Sequence, residues 1–237
     1  MKLSHLLLLS IVIILISYLG SLLFKSDVKI NNKKIVTESF TGVKNKIGAD
    51  VYVKMGDKHD IVVKTTGDVM KNLSIRVKDG VLIIDSISRK LRYDSIRIEI
   101  TMVKMNFLSI EGSGTISMTG TFNASDDVEL GIAGSGTINA DFTTSGKLKA
   151  GIAGSGDMEL KGKSSEMELG INGSGGVKGF NFNTTSATIN IAGSGDCEIS
   201  VVKELNANIN GSGNVYYKGS PIVNANINGS GEVQNAK

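Results

Sequence analysis

One cysteine, one proline and no tryptophan occur in 237 residues. A lone Cys197 excludes an intrachain disulfide, and its position excludes a lipid-modified cysteine at a processed N-terminus. Export without disulfides suits a bacterial envelope protein better than an animal secreted domain. Arginine is absent after Arg97. Residues 1–107 hold 18 Lys and Arg against 10 Asp and Glu, whereas residues 108–237 hold 8 Lys against 13 Asp and Glu. The net charge of +3 creates no demand for a polyanion. The imbalance reads as two solvated surfaces of opposite sign, and no nucleic-acid partner is expected. Glycine is plentiful, at 29 residues, but its spacing excludes the collagen period.

What is present begins with an apolar run, Leu6–Phe24, "LLLLSIVIILISYLGSLLF". Its length suits one bilayer span. Residues 1–25 are expected to be a transmembrane signal anchor or a signal peptide. Tyr18 and Leu19 stand where a cleavage site wants small residues, which favours the uncleaved anchor. Lys25, Lys29, Lys33 and Lys34 follow the run and Lys2 alone precedes it, a bias that favours a cytoplasmic C-terminal part. The repeats that follow argue for the outside.

"GIAGSG" occurs at Gly131–Gly136 and again at Gly151–Gly156. It belongs to a series of seven Gly–Ser–Gly tripeptides, beginning at Gly112, Gly134, Gly154, Gly173, Gly193, Gly211 and Gly229. The steps are 22, 20, 19, 20, 18 and 18 residues. Periods near twenty signal a solenoid, whose units bury their apolar faces only against one another. Apolar residues alternate on one parity: Val128, Leu130, Ile132, then Gly134 and Gly136, then Ile138, Ala140 and Phe142. The following unit keeps the phase with Leu148, Ala150, Ile152, Met158 and Leu160. A period of two predicts strands with one buried face.

The expected fold is therefore all-β, a parallel β-helix-like solenoid with Gly–Ser–Gly corners. Seven coils at about 4.8 Å would give a rod section roughly 30 Å long. Both glycines fall on the inward parity, where close backbone approach or positive φ excludes a side chain. The serines Ser113, Ser135, Ser155, Ser174, Ser194, Ser212 and Ser230 point outward in one column. Asn190, Asn208 and Asn226 form a second column, and Asn172, Asn210 and Asn228 a third, so partial amide ladders are expected. Residues 28–107 also alternate, with turn signals at "GDKHD" and "KDG", and run without a linker into the first repeat. Residues 26–237 thus read as one domain, with irregular early coils over 28–107 and seven Gly–Ser–Gly coils over 108–237.

The run "FTGVKNKIGADVYVKMGDKHDIVVKTT", the "KDGVLIID" hairpin, "IRIEITMVKMNFLSIEGSG" and the serial I-x-G-S-G units occur in that order. Together they resemble the family called putative auto-transporter adhesin, head GIN domain, from about Val36 to Val233. Met102, Val103 and Lys104 stand where members of that family often carry a proline. The resemblance implies a right-handed β-helix-like domain, exported in Bacteroidota-type bacteria, with no established activity.

Several chemistries can be weighed on the residues. A nucleotide loop needs Gly-rich backbone opening a helix, and no helical pattern follows any of these tripeptides. Calcium-binding coils place an aspartate in nearly every repeat. Here the column after the tripeptide reads Thr115, Thr137, Asp157, Gly176, Asp196, Asn214 and Glu232, too few carboxylates for the six to eight oxygens calcium takes. A carbohydrate-active β-helix enzyme, lyase or hydrolase, is the alternative reading, but it needs clustered carboxylates. Asp126, Asp127, Asp141, Glu159 and Glu168 lie at varied offsets instead.

Cys197 shares the inward parity of Ile138, Met158 and Val177 and reads as core. His5 and His59 have no evident partner. Tyr216 could join an exposed patch, whereas Tyr217 has inward parity. "DSI" at Asp85–Ile87 and Asp94–Ile96 matches a short O-glycosylation acceptor motif.

No catalytic residue, metal site or cofactor is expected. The expected role is a non-catalytic, membrane-anchored or secreted, extracytoplasmic surface, in the periplasm or on the cell, for a glycan or protein ligand or for envelope structure. A cytoplasm-facing anchored scaffold is the third option. The last tripeptide is followed by six residues with no capping helix. An open strand edge there is expected to pair with another chain.

Overall fold

The computed structural model describes residues 30–88 and 96–237. The apolar run Leu6–Phe24 and the second Asp–Ser–Ile serine lie outside them. Among the described residues, no helix is long and apolar enough to cross a membrane. Residues Asn31–Lys237 form one compact unit. Strand accounts for 71% of the chain and the solenoid makes about six turns, so the architecture is all-β. Seven corners delimit six turns, one fewer than a count of tripeptides suggests.

The early strands are β1 (Ile30–Ile35), β2 (Gly42–Asn45), β3 (Asp50–Met55) and β4 (Asp60–Thr66), then a short helix α1 (Gly67–Asn72). β5 (Leu73–Lys78), β6 (Val81–Ser86), β7 (Arg97–Met102), β8 (Phe107–Gly112) and β9 (Thr115–Thr119) follow. They do not stack in chain order. β2 lies between β6 and β8, and β3 between β7 and β9, all parallel. β4 runs antiparallel to β7 and β5 antiparallel to β6, while β1 lies beside β4. The chain enters at an internal rung, reverses to cover one end, and then winds onward. The winding reverses between β3 and β4, and the return uses the "KDG" turn between β5 and β6, where Asp79 (φ 51°) and Gly80 (φ 74°) both take positive φ. Tight hairpins favour that conformation because its twist matches the strands.

From β8 onward the winding is regular. β10 (Phe122–Ala124), β11 (Val128–Gly134), β12 (Thr137–Thr144), β13 (Lys147–Gly154), β14 (Asp157–Gly173), β15 (Gly176–Gly193), β16 (Cys197–Gly211), β17 (Val215–Lys218), β18 (Ile222–Gly229) and β19 (Val233–Asn235) stack in parallel. The register superimposes like on like. Gly112, Gly134, Gly154, Gly173, Gly193, Gly211 and Gly229 lie in one file.

The two glycines of a corner serve different ends. Gly134 has φ +129°, and a Cβ there would stand 2.5 Å from the Gly112 carbonyl oxygen. That oxygen accepts the Ser135 N–H at 2.9 Å, so it cannot move aside without breaking a rung-to-rung bond. The second glycine, Gly136, has no positive φ but makes room for both a side chain and backbone: its Cβ would lie 2.6 Å from Ile110 Cγ2 and 2.7 Å from the Gly114 carbonyl oxygen of the preceding rung. The same crowding recurs at Gly156 under Ile132 and Gly195 under Ile171. The isoleucine of I-x-G-S-G fills the space that the next rung's second glycine leaves. Ile110, Ile132, Ile152, Ile171, Ile191 and Ile209 are all buried. Each contributes on the order of 1.5–3 kcal/mol by burial. The serine between the glycines is exposed at every corner.

A phenylalanine column fills the far side of the core. Phe122 stacks on Phe142, Phe142 on Gly162, and Gly162 on Phe182. Gly162 (φ +113°) leaves a gap through which the Phe142 and Phe182 rings meet, centroids 5.3 Å apart. Buried hydroxyls set the second bend. Thr144 Oγ1 donates to the Asp126 carbonyl at 2.6 Å, Ser164 Oγ to the Glu166 carbonyl at 2.8 Å and Thr184 Oγ1 to the Ser186 carbonyl at 2.9 Å.

Candidate functional site

Strands β8, β11 and β13, the latter parts of β14, β15 and β16, and then β18 stack in unbroken register and build one regular outer surface of the repeat region. Alternation sends every second residue outward. Three outward columns result, five, three and one residues before each corner.

The middle column divides in two. Its early members are Gly131, Gly151 and Gly170; its late members are Asn190, Asn208 and Asn226. The glycines floor a groove of about 490 Å³, bordered by Glu129, Lys149 and Glu168 and closed at one end by Asn190. None of the three glycines has the positive φ of the corners. A Cβ at Gly151 or Gly170 would meet nothing within 4 Å, and at Gly131 it would make ordinary contact with Ser109 Oγ at 3.6 Å. Gly131, Gly151 and Gly170 are therefore not required by the fold.

Lys147 borders the same face, reaching Glu168 at 3.0 Å and Glu166 at 3.8 Å. Its bond to Glu168 raises the lysine's pKa, and the lysine holds the Glu168 carboxyl below the ordinary glutamate value. Beyond the groove the surface becomes an amide array. Asn208 Nδ2 donates to Asn190 Oδ1 at 2.9 Å, the ladder expected from the sequence. A second ladder, with Asn224 Nδ2 donating to Asn206 Oδ1 at 3.0 Å, was not expected. Its signal was present in the twice-written "NANING".

The structure distributes the acids singled out in the sequence rather than assembling them. Asp157 Oδ1 accepts the Gly176 N–H at 3.1 Å, and Asp196 Oδ1 accepts the Asn214 N–H at 2.9 Å. Asn214 Oδ1 in turn accepts the Glu232 N–H at 3.1 Å. This column bonds the backbone of the next rung. Asp127 Oδ1 does the same for Lys147 at 2.8 Å, while Glu159 pairs with Lys161 at 2.9 Å. Asp141 lies opposite Lys161 on another sheet from Glu168. Among the described residues no group of three or more His, Cys, Asp or Glu is placed to hold a metal ion.

Cys197 is buried between Val177 and Val215, and burial pushes its thiol pKa far up. The His59 ring packs on Phe40, centroids 4.5 Å apart, at the edge of the early rungs. Tyr217 is half-buried against the core. In the first Asp–Ser–Ile triplet, Ser86 ends β6, is half-buried and donates its hydroxyl to the Ser88 carbonyl at 2.7 Å. Asp85 beside it is held by Arg76 at 3.5 Å and Lys46 at 3.7 Å, and Lys46 and Lys44 reach Glu111 at 3.5 and 2.7 Å. Three early cations thus share two carboxylates in this network.

Crystal structures that the fold resembles include three bacterial proteins. A putative adhesin of Bacteroides fragilis is 22% identical with a TM-score of 0.80, over 88% of this chain and 97% of that one. A protein of Parabacteroides distasonis described as a putative lipid-binding protein is 24% identical with a TM-score of 0.73, over 88% and 97%. A putative adhesin of the same species is 22% identical with a TM-score of 0.73, over 89% and 98%. At these identities the likeness establishes the fold. No curated protein matches the chain. The family model for the putative auto-transporter adhesin, head GIN domain, matches residues 39–221, the span that holds the internal entry rung, its reversal and most of the glycine corners, and the chain belongs to that family.

Proposed function

We propose that this protein is a non-catalytic, adhesin-like surface working outside the cytoplasm, and that it receives a glycan or protein along the glycine-floored groove. The observation that carries the reading is the file Gly131, Gly151, Gly170. Glycine in a strand interior costs roughly 0.5–1 kcal/mol relative to alanine. The corner glycines offset that cost by permitting stacking, but these three have neither positive φ nor crowding to explain them. A strand glycine without a structural cause marks a place where something outside approaches the backbone closely. The adjoining amide array supplies donors and acceptors in rows repeating at about 4.8 Å. Membership of an adhesin-named family supports the extracytoplasmic setting.

The test is binding of the full-length protein to a panel of immobilised polysaccharides and extracellular-matrix proteins, beside Gly151→Trp and Gly170→Trp. Binding to at least one panel member, lost in the variants with no fall in melting temperature, supports the reading. Binding that survives the filled groove refutes it. Release of sugars from the polysaccharides would establish the enzyme instead.

A further inference from the structure

Among the described residues, β18 hydrogen-bonds to β16 on one side only, and β19 likewise to β17. The rung they form is far more exposed than those beneath it. Ile227 is 40% exposed, whereas Ile209, directly under it, is 1% exposed. Ile222 on the outward side is 72% exposed. The opposite end differs, because β4, α1 and β5 turn back over it and cover the edges of β7 and β6.

We infer that the β18 edge pairs with the β18 edge of a second copy of this chain, antiparallel, about a two-fold axis at Ala225. The sequence of the edge, alternating apolar residues and asparagines, is self-complementary in that arrangement. Antiparallel pairing centred on Ala225 sets Val223 opposite Ile227 of the second copy, Asn224 opposite its Asn226 and Ala225 opposite its Ala225. Val223, Ala225 and Ile227 share the inward parity, being stacked on Leu205, Ala207 and Ile209. The two-fold axis lies normal to the sheet, so inward faces stay on one side and the two apolar cores join. The asparagines share the outward parity, so each Asn224 amide meets an Asn226 amide, continuing the ladder from Asn206. Apolar and amide cross-strand pairs of this kind are the units that stabilise a sheet. An isologous edge also closes after two copies, which a head-to-tail stack does not. The proposal is independent of the groove's ligand.

The experiment is a charge exchange in the full-length protein, solubilised in a mild detergent and weighed by light scattering. The natural protein is expected at twice the protomer mass. Asn224→Asp with Asn226→Asp sets four carboxylates against one another and is expected to halve that mass. Asn224→Lys with Asn226→Lys is expected to do the same with opposite sign. An equimolar mixture of the two variants, each showing the natural circular-dichroism spectrum, is expected to recover the double mass. A natural protein that stays a protomer at every concentration overturns the inference. So does either variant that keeps the double mass, or a mixture that remains dissociated.

Discussion

Gly151 and Gly154 stand three residues apart on the same strand and should respond to valine in opposite directions. At Gly154 the backbone has φ +128°, and a Cβ would press on the Gly134 carbonyl oxygen. That oxygen holds the Ser155 N–H at 2.9 Å, so relief requires breaking a bond between rungs. Holding a β-branched residue in that conformation costs about 1–3 kcal/mol. Overpacking against fixed backbone costs about another 1–3 kcal/mol. Gly154→Val should thus lose about 2–6 kcal/mol, which at about 2–4 °C per kcal/mol for a chain this long lowers the melting temperature by about 4–24 °C. Gly151 has no positive φ and open space where its Cβ would stand. Gly151→Val recovers the roughly 0.5–1 kcal/mol that glycine costs a strand and should raise the melting temperature by about 1–4 °C. Circular-dichroism melts of the three proteins under one set of conditions decide the matter. Equal shifts in the two variants, or a tolerant Gly154, would refute the assignment of corner and groove.

Gly162→Ala should destabilise by several kcal/mol, because its Cβ would run into the Phe142 carbonyl and no rotamer of alanine avoids it; denaturant titration reads the loss. Asn208→Ala removes one exposed ladder bond to Asn190 and should cost about 0.5–1.5 kcal/mol, measured the same way. Glu111 is held below the ordinary glutamate value by its bond to Lys44, and Glu99 by its bonds to Lys64 and Arg97. A lowered carboxyl contributes stability above its unfolded pKa and loses it as pH falls through the folded one. Both pairs are about a third exposed or more, so each contributes less than about 1 kcal/mol. Glu111→Gln should lower the melting temperature at pH 7, and the difference should shrink as the pH falls through the lowered carboxyl pKa. Cys197 should resist a thiol reagent in the native protein and react fully in denaturant, since burial disfavours its thiolate.

The parts of this molecule that were legible in the sequence are those in which each rung copies the one below. The corner file, the inward isoleucines and the Asn190–Asn208 ladder follow from period and parity alone. The early rungs were not legible in that way. β2 and β3 alternate like any later pair, and nothing within them reports that β6 and β7 will be laid on their other edge. The local clues were the two turns, "GDKHD", where the winding reverses, and "KDG", a two-residue hairpin that forces antiparallel pairing and turns it back. The column Asp157, Asp196 and Asn214 reads by composition as too poor in carboxylates for calcium. Its work, accepting the N–H of the next rung, depends on where the backbone ladder opens just after each corner, which no residue type announces.

The same logic locates where function can be written. In a stacked coil the inward residues are fixed by their neighbours above and below: Ile110 dictates Gly136, and Gly162 dictates the meeting of Phe142 and Phe182. The outward columns are free of that constraint, and a residue there that costs stability has no reason inside the molecule to persist. Asn190 and Asn208 repay their place by bonding to each other. Gly131, Gly151 and Gly170 bond through no side chain, fill no gap and relieve no strain. Alanine would serve the fold better at each, and valine better still. What these three glycines provide is bare backbone on a flat sheet, with charged side chains along one flank and amides at one end. Bare backbone is useful only to a partner that must come closer than a Cβ allows. Filling the groove is therefore the perturbation that tests the proposed binding surface apart from the scaffold that carries it, because it leaves every stacking contact in place.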